Sequence, residues 1–462
     1  ALMRKPMKIS AIAILVASLS ACAVGPDYQT PVKVADINIE APYQQAELAQ
    51  SWWQAFDDVA LNKLIERALQ ENRTLAQARA NVDRAYAVFR DANNDFLPKG
   101  TLDAGYQASE NGTVSPADDG VITRGYSTGA TLSWDLDLFG KIRRATEAAQ
   151  AQAEQADILW HDAQVQLISQ VATNYGEYRG AQLRLVVAEQ NLQNLQQSRA
   201  IVLARLEAGM ASELELAQID AQLHQVHAAV PAYRVALLTA DATLSALLAQ
   251  KPGQLKLGAV PHLPELKQPV AIAEGENYLR YRADVAASER QLAARTAEIG
   301  VATADLYPNL SVRGFLGFMS GPGLTLGSDT QSWSVAPALS WQAADLGSVK
   351  ARIRQAEASS QMALANFEQQ VFNALNEMQL SLSSYNLSRE QQLSTELQWQ
   401  ASNKAVQIAR ERYNAGSGEF LDLLDAEREL LRARDQLAQL QQQSFTRLVS
   451  IYRSFGGGIQ LI

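Results

Sequence analysis

The chain has 462 residues, 47% of them hydrophobic and 19% charged, and a formal net charge of -9. That composition is ordinary for a folded protein and excludes a disordered one. The acidic balance excludes a nucleic-acid binder, because no basic excess is available to displace counterions from phosphate, and the single cysteine, Cys22, excludes a disulfide framework.

In chain order, Arg4, Lys5 and Lys8 precede the apolar stretch "AIAILVASLSAC". It offers about 11 residues before the cysteine, too short to span a bilayer as a helix. Residues 1–21 therefore read as a secretory signal peptide. "LSAC" at 19–22 has the form of a lipobox, in which a small residue precedes a cysteine that is acylated and becomes the new N-terminus. The expectation is a covalent lipid on Cys22, with 22–60 as a lipid-anchored N-terminal segment; several acyl chains would hold firmly where one would hold weakly. No later segment approaches about 18 consecutive apolar residues, so no helix is expected to cross a membrane. A β-barrel remains open.

The rest of the chain is written twice. "RLEAG" at 205–209 pairs with "RYNAG" at 412–416, an offset of 412 − 205 = 207, and Trp134 with Trp341 and Gly140 with Gly347 give the same difference. "FLPKG" (96–100) matches "LYPNL" (306–310) at an offset of 210. The first copy predicts a helical segment over 61–98, closed by Pro98, which restricts the residue before it to extended geometry. A strand pair over 99–136 follows, then a long helical hairpin over 137–250 with its tip near Gly209. A Pro/Gly-rich linker occupies 251–275. The second copy repeats the order: helical over 276–307, a strand pair over 308–342, a hairpin over 343–454 with its tip near Gly416, and a tail over 455–462. "NYGEYRG" (174–180) is expected to interrupt the first long helix.

The strands alternate. In "YSTGATLSWDL" Tyr126, Ala130, Leu132 and Trp134 share one face, and in "WSVAPALSW" Trp333, Val335, Pro337, Leu339 and Trp341 do. Apolar outside, small and polar inside, with aromatics toward the ends, is what a lipid-facing barrel around water requires. An ordinary half-buried hairpin is the alternative, and Pro337 within a strand leans that way. Four strands cannot close a barrel, and open edges in lipid leave backbone groups unsatisfied, so several chains would have to share one. Two chains give eight strands with a filled interior; three give twelve, enough to enclose a passage.

A helix from about Lys141 to Ala208 is about 100 Å long at 1.5 Å per residue. Leu423, Leu430 and Leu437 repeat at seven and Leu192, Leu195, Val202 and Leu206 fit a 3-4 alternation, both coiled-coil spacings. The positions between are rich in Ala, Gln and Arg, which suits helices packed in a single layer with water on both sides. A soluble coiled coil would explain the heptads and leave the strands without a purpose.

With lipobox, duplication, strand pairs and hairpins in place, the chain resembles the outer membrane factors of Gram-negative bacteria, the TolC/OprM-type channels, in their lipoprotein branch. The matching residues are "CAVGPDYQTP" (22–31), "SWWQAFDDVALNKLIERALQENRTLAQARANV" (51–82), "WDLDLFGKIRRA" (134–145), "RYNAGSGEFLDLLDAE" (412–427) and "GGG" (456–458). The resemblance implies an α+β membrane protein: a long α-helical coiled-coil barrel forming a periplasmic tunnel, and four transmembrane β-strands per chain completing a shared 12-stranded trimeric β-barrel. It implies a homotrimer in the outer membrane, docked on a periplasmic adaptor (membrane fusion) protein and an inner-membrane pump, that exports drugs and other small toxic compounds as in multidrug resistance. Type I protein secretion and metal-ion efflux are the alternatives. The duct itself performs no chemistry and needs no cofactor beyond the lipid, in such proteins palmitate among others, on Cys22. By resemblance to Gram-negative lipoproteins, Ala23 in place of an Asp permits export to the outer membrane.

In such channels the acids after the second Gly turn line a constricted periplasmic mouth. Asp422 and Asp425, three apart and so on one helix face, occupy those positions, Glu215 matches the acid of the first tip, and Arg412 and Tyr413 complete the expected gate. Rings of carboxylate in a narrow mouth attract cations and set selectivity. Gly418 stands where some relatives place a basic residue, which leaves Arg412 or Arg410 as the cation of an ionic latch. That the acids only complement a helix dipole is the alternative. The tips, with Gly209, Met210, Ala211, Leu214, Gly416, Ser417 and Leu421, are expected to meet the adaptor, unless the turns merely need glycine. His224 and His227 have no third ligand nearby in sequence and read as solvated. No serine elbow, phosphate loop or metalloprotease helix occurs.

Overall fold

The computed structural model describes residues 23–31, 43–45, 50–110, 122–258, 262–266, 270–272, 279, 281–321 and 327–457. The expected signal peptide, Cys22 and Gly458 lie outside the described residues. Two units divide the chain, one of residues 1–31, 81–157 and 287–368, the other of 32–80, 158–286 and 369–462.

The elements are β1 (Gln44–Gln45), α1 (Val59–Glu71), α2 (Arg73–Asn94), β2 (Lys99–Glu110), β3 (Ile122–Leu136), α3 (Lys141–Glu207), α4 (Glu213–Leu247), β4 (Ala271–Ile272), α5 (Ala283–Ala304), β5 (Asn309–Ser320), β6 (Gln331–Ser340), α6 (Leu346–Asn414) and α7 (Phe420–Ser454), with short 3-10 turns between some of them. The duplication is explicit in the lengths. Helices α2 and α5 each have 22 residues, α3 and α6 have 67 and 69, and α4 and α7 each have 35. Among the described residues no helix is long and apolar enough to cross a membrane.

In the first unit four strands form an antiparallel sheet in the order β2-β3-β5-β6. Leu102 faces Ala130, Ala130 faces Leu316, and Leu316 faces Trp333. Because side chains alternate along each strand, this register gathers Leu102, Tyr106, Tyr126, Leu132, Leu316, Trp333, Val335 and Leu339 on one face. Thr101, Asp103, Ser127, Thr131, Ser133, Arg313 and Ser334 fall on the other. The apolar face is open: Leu102 is 89% exposed, Trp333 74% and Leu339 68%. Strands β2 and β6 are edges with no partner strand among the described residues. At the middle of the sheet Gly129 faces Gly317, and a Cβ on Gly129 would lie 2.7 Å from the Gly317 Cα and 2.7 Å from the Leu316 carbonyl oxygen. Both strands need glycine there so that the backbones can approach.

The end of the sheet joined to the helices is rimmed with aromatics, and its hydrogen bonds repeat with the sequence. Trp134 Nε1 donates to the Phe96 carbonyl at 2.9 Å, and Trp341 Nε1 to the Leu306 carbonyl at 3.1 Å. The Phe139 and Tyr307 rings stack with centroids 4.6 Å apart.

The second unit is helical. Helix α3 runs unbroken through 174–180, where an interruption was expected. The glycines serve close packing instead: a Cβ on Gly176 would lie 2.4 Å from a Phe445 ring carbon, and one on Gly180 would lie 2.3 Å from the Gln442 side chain. Tertiary contact with α7 thus outweighs the roughly 1 kcal/mol helix cost of each glycine. Helices α6 and α7 meet along small polar side chains, Ser381 with Ser454 and Ser388 with Ser444, each oxygen pair 2.8 Å apart. Small residues at such positions let the two backbones approach. Asp58 joins α1 to α3: it caps α1 by accepting from the Ala60 and Leu61 amides and accepts from the fully buried Tyr175 hydroxyl at 2.7 Å. Burial, then the hydrogen bond to Asp58, hold the Tyr175 phenol well above its usual range.

Candidate functional site

The predicted gate residues all lie in the second unit, at the α3/α4 and α6/α7 turns. The two turns are built alike. Gly209 has φ +71° and Gly416 φ +72°, the left-handed geometry of a helix C-cap. In the first the Met210 amide closes back on the Arg205 carbonyl at 2.7 Å, and in the second the Ser417 amide closes on the Arg412 carbonyl at 2.9 Å. Ser212 then caps α4 by accepting from the Glu215 amide.

Tyr413 is the centre of the turn region and only 2% exposed. Its hydroxyl donates to Glu215 Oε2 at 3.0 Å, its carbonyl accepts from Arg205 Nη1 at 2.6 Å, and the Arg205 guanidinium lies 4.4 Å over its ring. These contacts tie the first copy's tip to the second's. Burial first, and then the hydrogen bond to Glu215, push the Tyr413 phenol up to about 12. Beneath it Leu195, Val202, Ile219, Phe420, Leu423 and Leu424 form a closed apolar cluster.

The two acids of the motif lie outside that cluster. Asp422 is exposed in the first turn of α7. Asp425 is 67% exposed and lies 3.6 Å from Arg428 on the next turn. Within the chain neither acid meets the cation expected to latch it. Arg410 goes instead to Glu427 at 2.9 Å, and among the described residues Arg412 Nη2 reaches only the Ser417 carbonyl, at 3.4 Å. The reason a basic residue is absent at 418 is steric: a Cβ on Gly418 would lie 2.9 Å from the Arg412 Cβ, and the Gly418 amide donates to the Arg412 carbonyl. Met210, Leu214 and Leu421 are more than half exposed at the same turns, an apolar trio with no cover among the described residues.

Sequence reasoning missed the buried acid. Glu427 is 4% exposed and accepts from Ser198 Oγ at 2.5 Å as well as from Arg410, which joins α3 to both helices of the second hairpin. Glu427 Oε2 and Arg410 Nε, both buried, have no hydrogen-bond partner among the described residues. The periodicity held the signal: Glu427 is four after Leu423 and three before Leu430, and Ser198 is three after Leu195 and four before Val202. Polar residues on an apolar 3-4 stripe have to find partners. Among the described residues no group of His, Cys, Asp and Glu could hold a metal ion.

Comparison with known proteins places this architecture among described ones. Residues 64–250 and 276–457 match the family described as "Outer membrane efflux protein". The toluene efflux pump outer membrane protein TtgI of Pseudomonas putida is 30% identical over 95% of this chain and 96% of its own length. The cation efflux system protein CusC of Escherichia coli O157:H7 is 28% identical over 98% of this chain and 99% of its own. Among solved structures, the outer-membrane channel OprN superposes with a TM-score of 0.91 at 41% identity, covering 94% of this chain and 99% of that one.

Proposed function

The chain belongs to the outer membrane efflux protein family, and from that premise we propose that three copies of it form the exit duct of a tripartite pump for small toxic compounds. It is a channel and not an enzyme. The observation that carries the trimer is the sheet: four strands with two unpaired edges and an exposed apolar face. In lipid such edges cost several kcal/mol per unsatisfied group, and three copies joined edge to edge would abolish them in a twelve-stranded barrel. A second line of support lies on α6, where Phe372, Leu380, Leu387, Leu393 and Leu397 are each about 60% exposed or more, an apolar stripe that a neighbouring subunit would cover.

Cargo passes without covalent change, so the functional parts are the ends of the path. We assign Cys22 as the site of the lipid anchor, on the lipobox that precedes Ala23. The mouth is assigned to Asp422 and Asp425, supported by their exposure and by their independence of the packed cluster beneath. In threefold symmetry they make two acidic rings one helical turn apart, which favour cations. Tyr413, Glu215 and Arg412 hold the turn that carries them. The apolar trio Met210, Leu214 and Leu421 is offered to the periplasmic adaptor, and the inner-membrane pump supplies the energy. TtgI is named for toluene and CusC for cations, and the acidic mouth makes metal cations the second reading of the cargo.

The test is electrical. Chain purified in detergent is expected to run as a trimer, still to need detergent as Cys22→Ser, and to open cation-selective channels in planar bilayers. Asp422→Ala with Asp425→Ala is expected to reduce the cation preference. A monomer that dissolves in plain buffer and carries no current refutes the duct, and an unchanged double variant refutes the mouth.

A further inference from the structure

Residues 23–31 bury little of themselves, yet the first unit is shaped around them. The Val24 amide donates to the Phe139 carbonyl at 3.1 Å. Arg144, 5% exposed, donates from Nε to the Val24 carbonyl at 3.2 Å, and from Nη2 to the Gly25 carbonyl at 3.3 Å and to Asp27 Oδ1 at 2.7 Å. Its Nη1 is braced by Glu147 at 2.8 Å. Three glycines clear the path. A Cβ on Gly140 would lie 2.6 Å from the Ala23 Cβ, one on Gly25 2.4 Å from the Gly300 Cα, and one on Gly300 2.6 Å from the Arg144 Cγ. Further along, the Tyr28 hydroxyl donates to Glu289 at 3.2 Å under the Arg290 guanidinium.

A buried arginine spent on backbone carbonyls of an exposed segment contributes little apolar burial, so its effect is on position. That position is particular. Phe139 and Gly140 follow the end of β3 by a few residues, at the aromatic-rimmed end of the sheet where Trp134, Trp341 and Tyr307 gather. Such a rim marks the membrane–water interface of a lipid-facing sheet. Cys22 is one peptide bond from Ala23, so its Cα is about 3.8 Å from that of Ala23.

Resting on the reading that Cys22 carries lipid, we propose that Ala23–Tyr28 is a docked strap that delivers the acyl chains to the interface beside the sheet, and that Arg144 is the positioning residue of its seat. A free leader would let the anchor wander over tens of ångströms; a seated one holds lipid and sheet edge at high effective concentration, so that both enter the same leaflet together.

The experiment uses the full chain, exported to the outer membrane, in four forms: wild type, Arg144→Ala, Cys22→Ser and the double variant. Hydrogen exchange of the peptide 23–31 reads the seat, and the heat-modifiable trimer in outer membranes reads assembly. Arg144→Ala is expected to speed strap exchange roughly 10- to 100-fold and to lower the assembled trimer about as far as Cys22→Ser does, with no further fall in the double variant. Losses that multiply in the double variant overturn the proposal, since Arg144 would then only stabilise the fold, and so does strap exchange that stays at the wild-type rate. Should Arg144→Ala fold too poorly to purify, the same cycle is read with Asp27→Asn, whose carboxylate is 87% exposed. A wild-type N-terminus without acyl mass sinks the lipid reading and this proposal with it. That outcome is told apart because strap exchange would still rise in Arg144→Ala.

Discussion

Glu427→Ala is the sharpest probe of how the two hairpin tips are held together. The carboxylate accepts from Ser198, which is 0% exposed, and from Arg410, whose side chain is 29% exposed. Truncation leaves the Ser198 hydroxyl buried without an acceptor, at about 1–2 kcal/mol. Arg410 rehydrates in part, so its lost pairing is worth about 1 kcal/mol rather than the larger cost of a sealed cation. Together the tip loses about 2–3 kcal/mol of local stability, which corresponds to roughly 30- to 150-fold faster exchange of the amides it protects. Glu427→Gln keeps an acceptor for Ser198 and is expected to cost about 1 kcal/mol. The assay is hydrogen exchange by mass spectrometry on the detergent-solubilised chain, read over 195–205, 406–413 and 420–430, with the strands as internal control. Ser198→Ala combined with Glu427→Ala is expected to show a coupling of at least about 0.5 kcal/mol. Tip exchange within about twofold of wild type, or a change shared equally by the strands, refutes the reasoning.

Gly317→Val is expected to abolish the assembled trimer on gels, because a Cβ there would lie 2.3 Å from the Thr128 carbonyl and 2.5 Å from the Gly129 Cα, neither of which can yield. Gly321→Ala, with nothing within 4 Å, is expected to assemble normally. Tyr413→Phe loses the bond to Glu215 and about 1 kcal/mol at neutral pH. Its phenol is raised in the folded chain to about 12 from 10.0, so its contribution is complete below pH 10 and is lost as pH climbs toward 12; tip exchange should therefore loosen in that window in wild type more than in the variant. Asp58→Ala removes both the α1 cap and the Tyr175 acceptor, and about 2–3 kcal/mol of protection across Val59–Glu71 is expected to go with it.

What could be read without coordinates was whatever a period carries. The offset of 207 foretold two equal hairpins, and period-2 alternation put Tyr126, Leu132, Trp333 and Leu339 on the face they share in the sheet. Glycine was ambiguous because one residue type answers two demands. At 209 and 416 it supplies positive φ, as read; at 176 and 180 it supplies close helix packing, and the helix continues where a break was expected. Only the neighbour decides between these, and Phe445 and Gln442 are distant in sequence. Gly418 shows the same limit in a third form, since a Cβ there would crowd the Arg412 Cβ at 2.9 Å.

The acids sort the same way, and the sorting bears on how a mouth can open. Asp422 and Asp425 were singled out by their match to the mouth acids of the family that the sequence resembles, Asp422 also answering Glu215 at the offset of 207, and both are exposed, where charge can act on what passes. Glu427 went unread because it sits on the leucine stripe, where charge acts on packing. Less than about a turn and a half of α7 separates the roles, so moving the acidic rings means moving a helix that Ser198 and Arg410 hold at Glu427. Tyr413 is held in turn by Glu215 and Arg205. A ligand or partner that splays the tips therefore has to supply the free energy of both buried ties, several kcal/mol per subunit if each is worth about 2, whereas neutralising the exposed acids changes the field in the mouth and leaves those ties in place. Selectivity and opening are thus expected to be separable by mutation even though Asp425 and Glu427 are only two positions apart on α7.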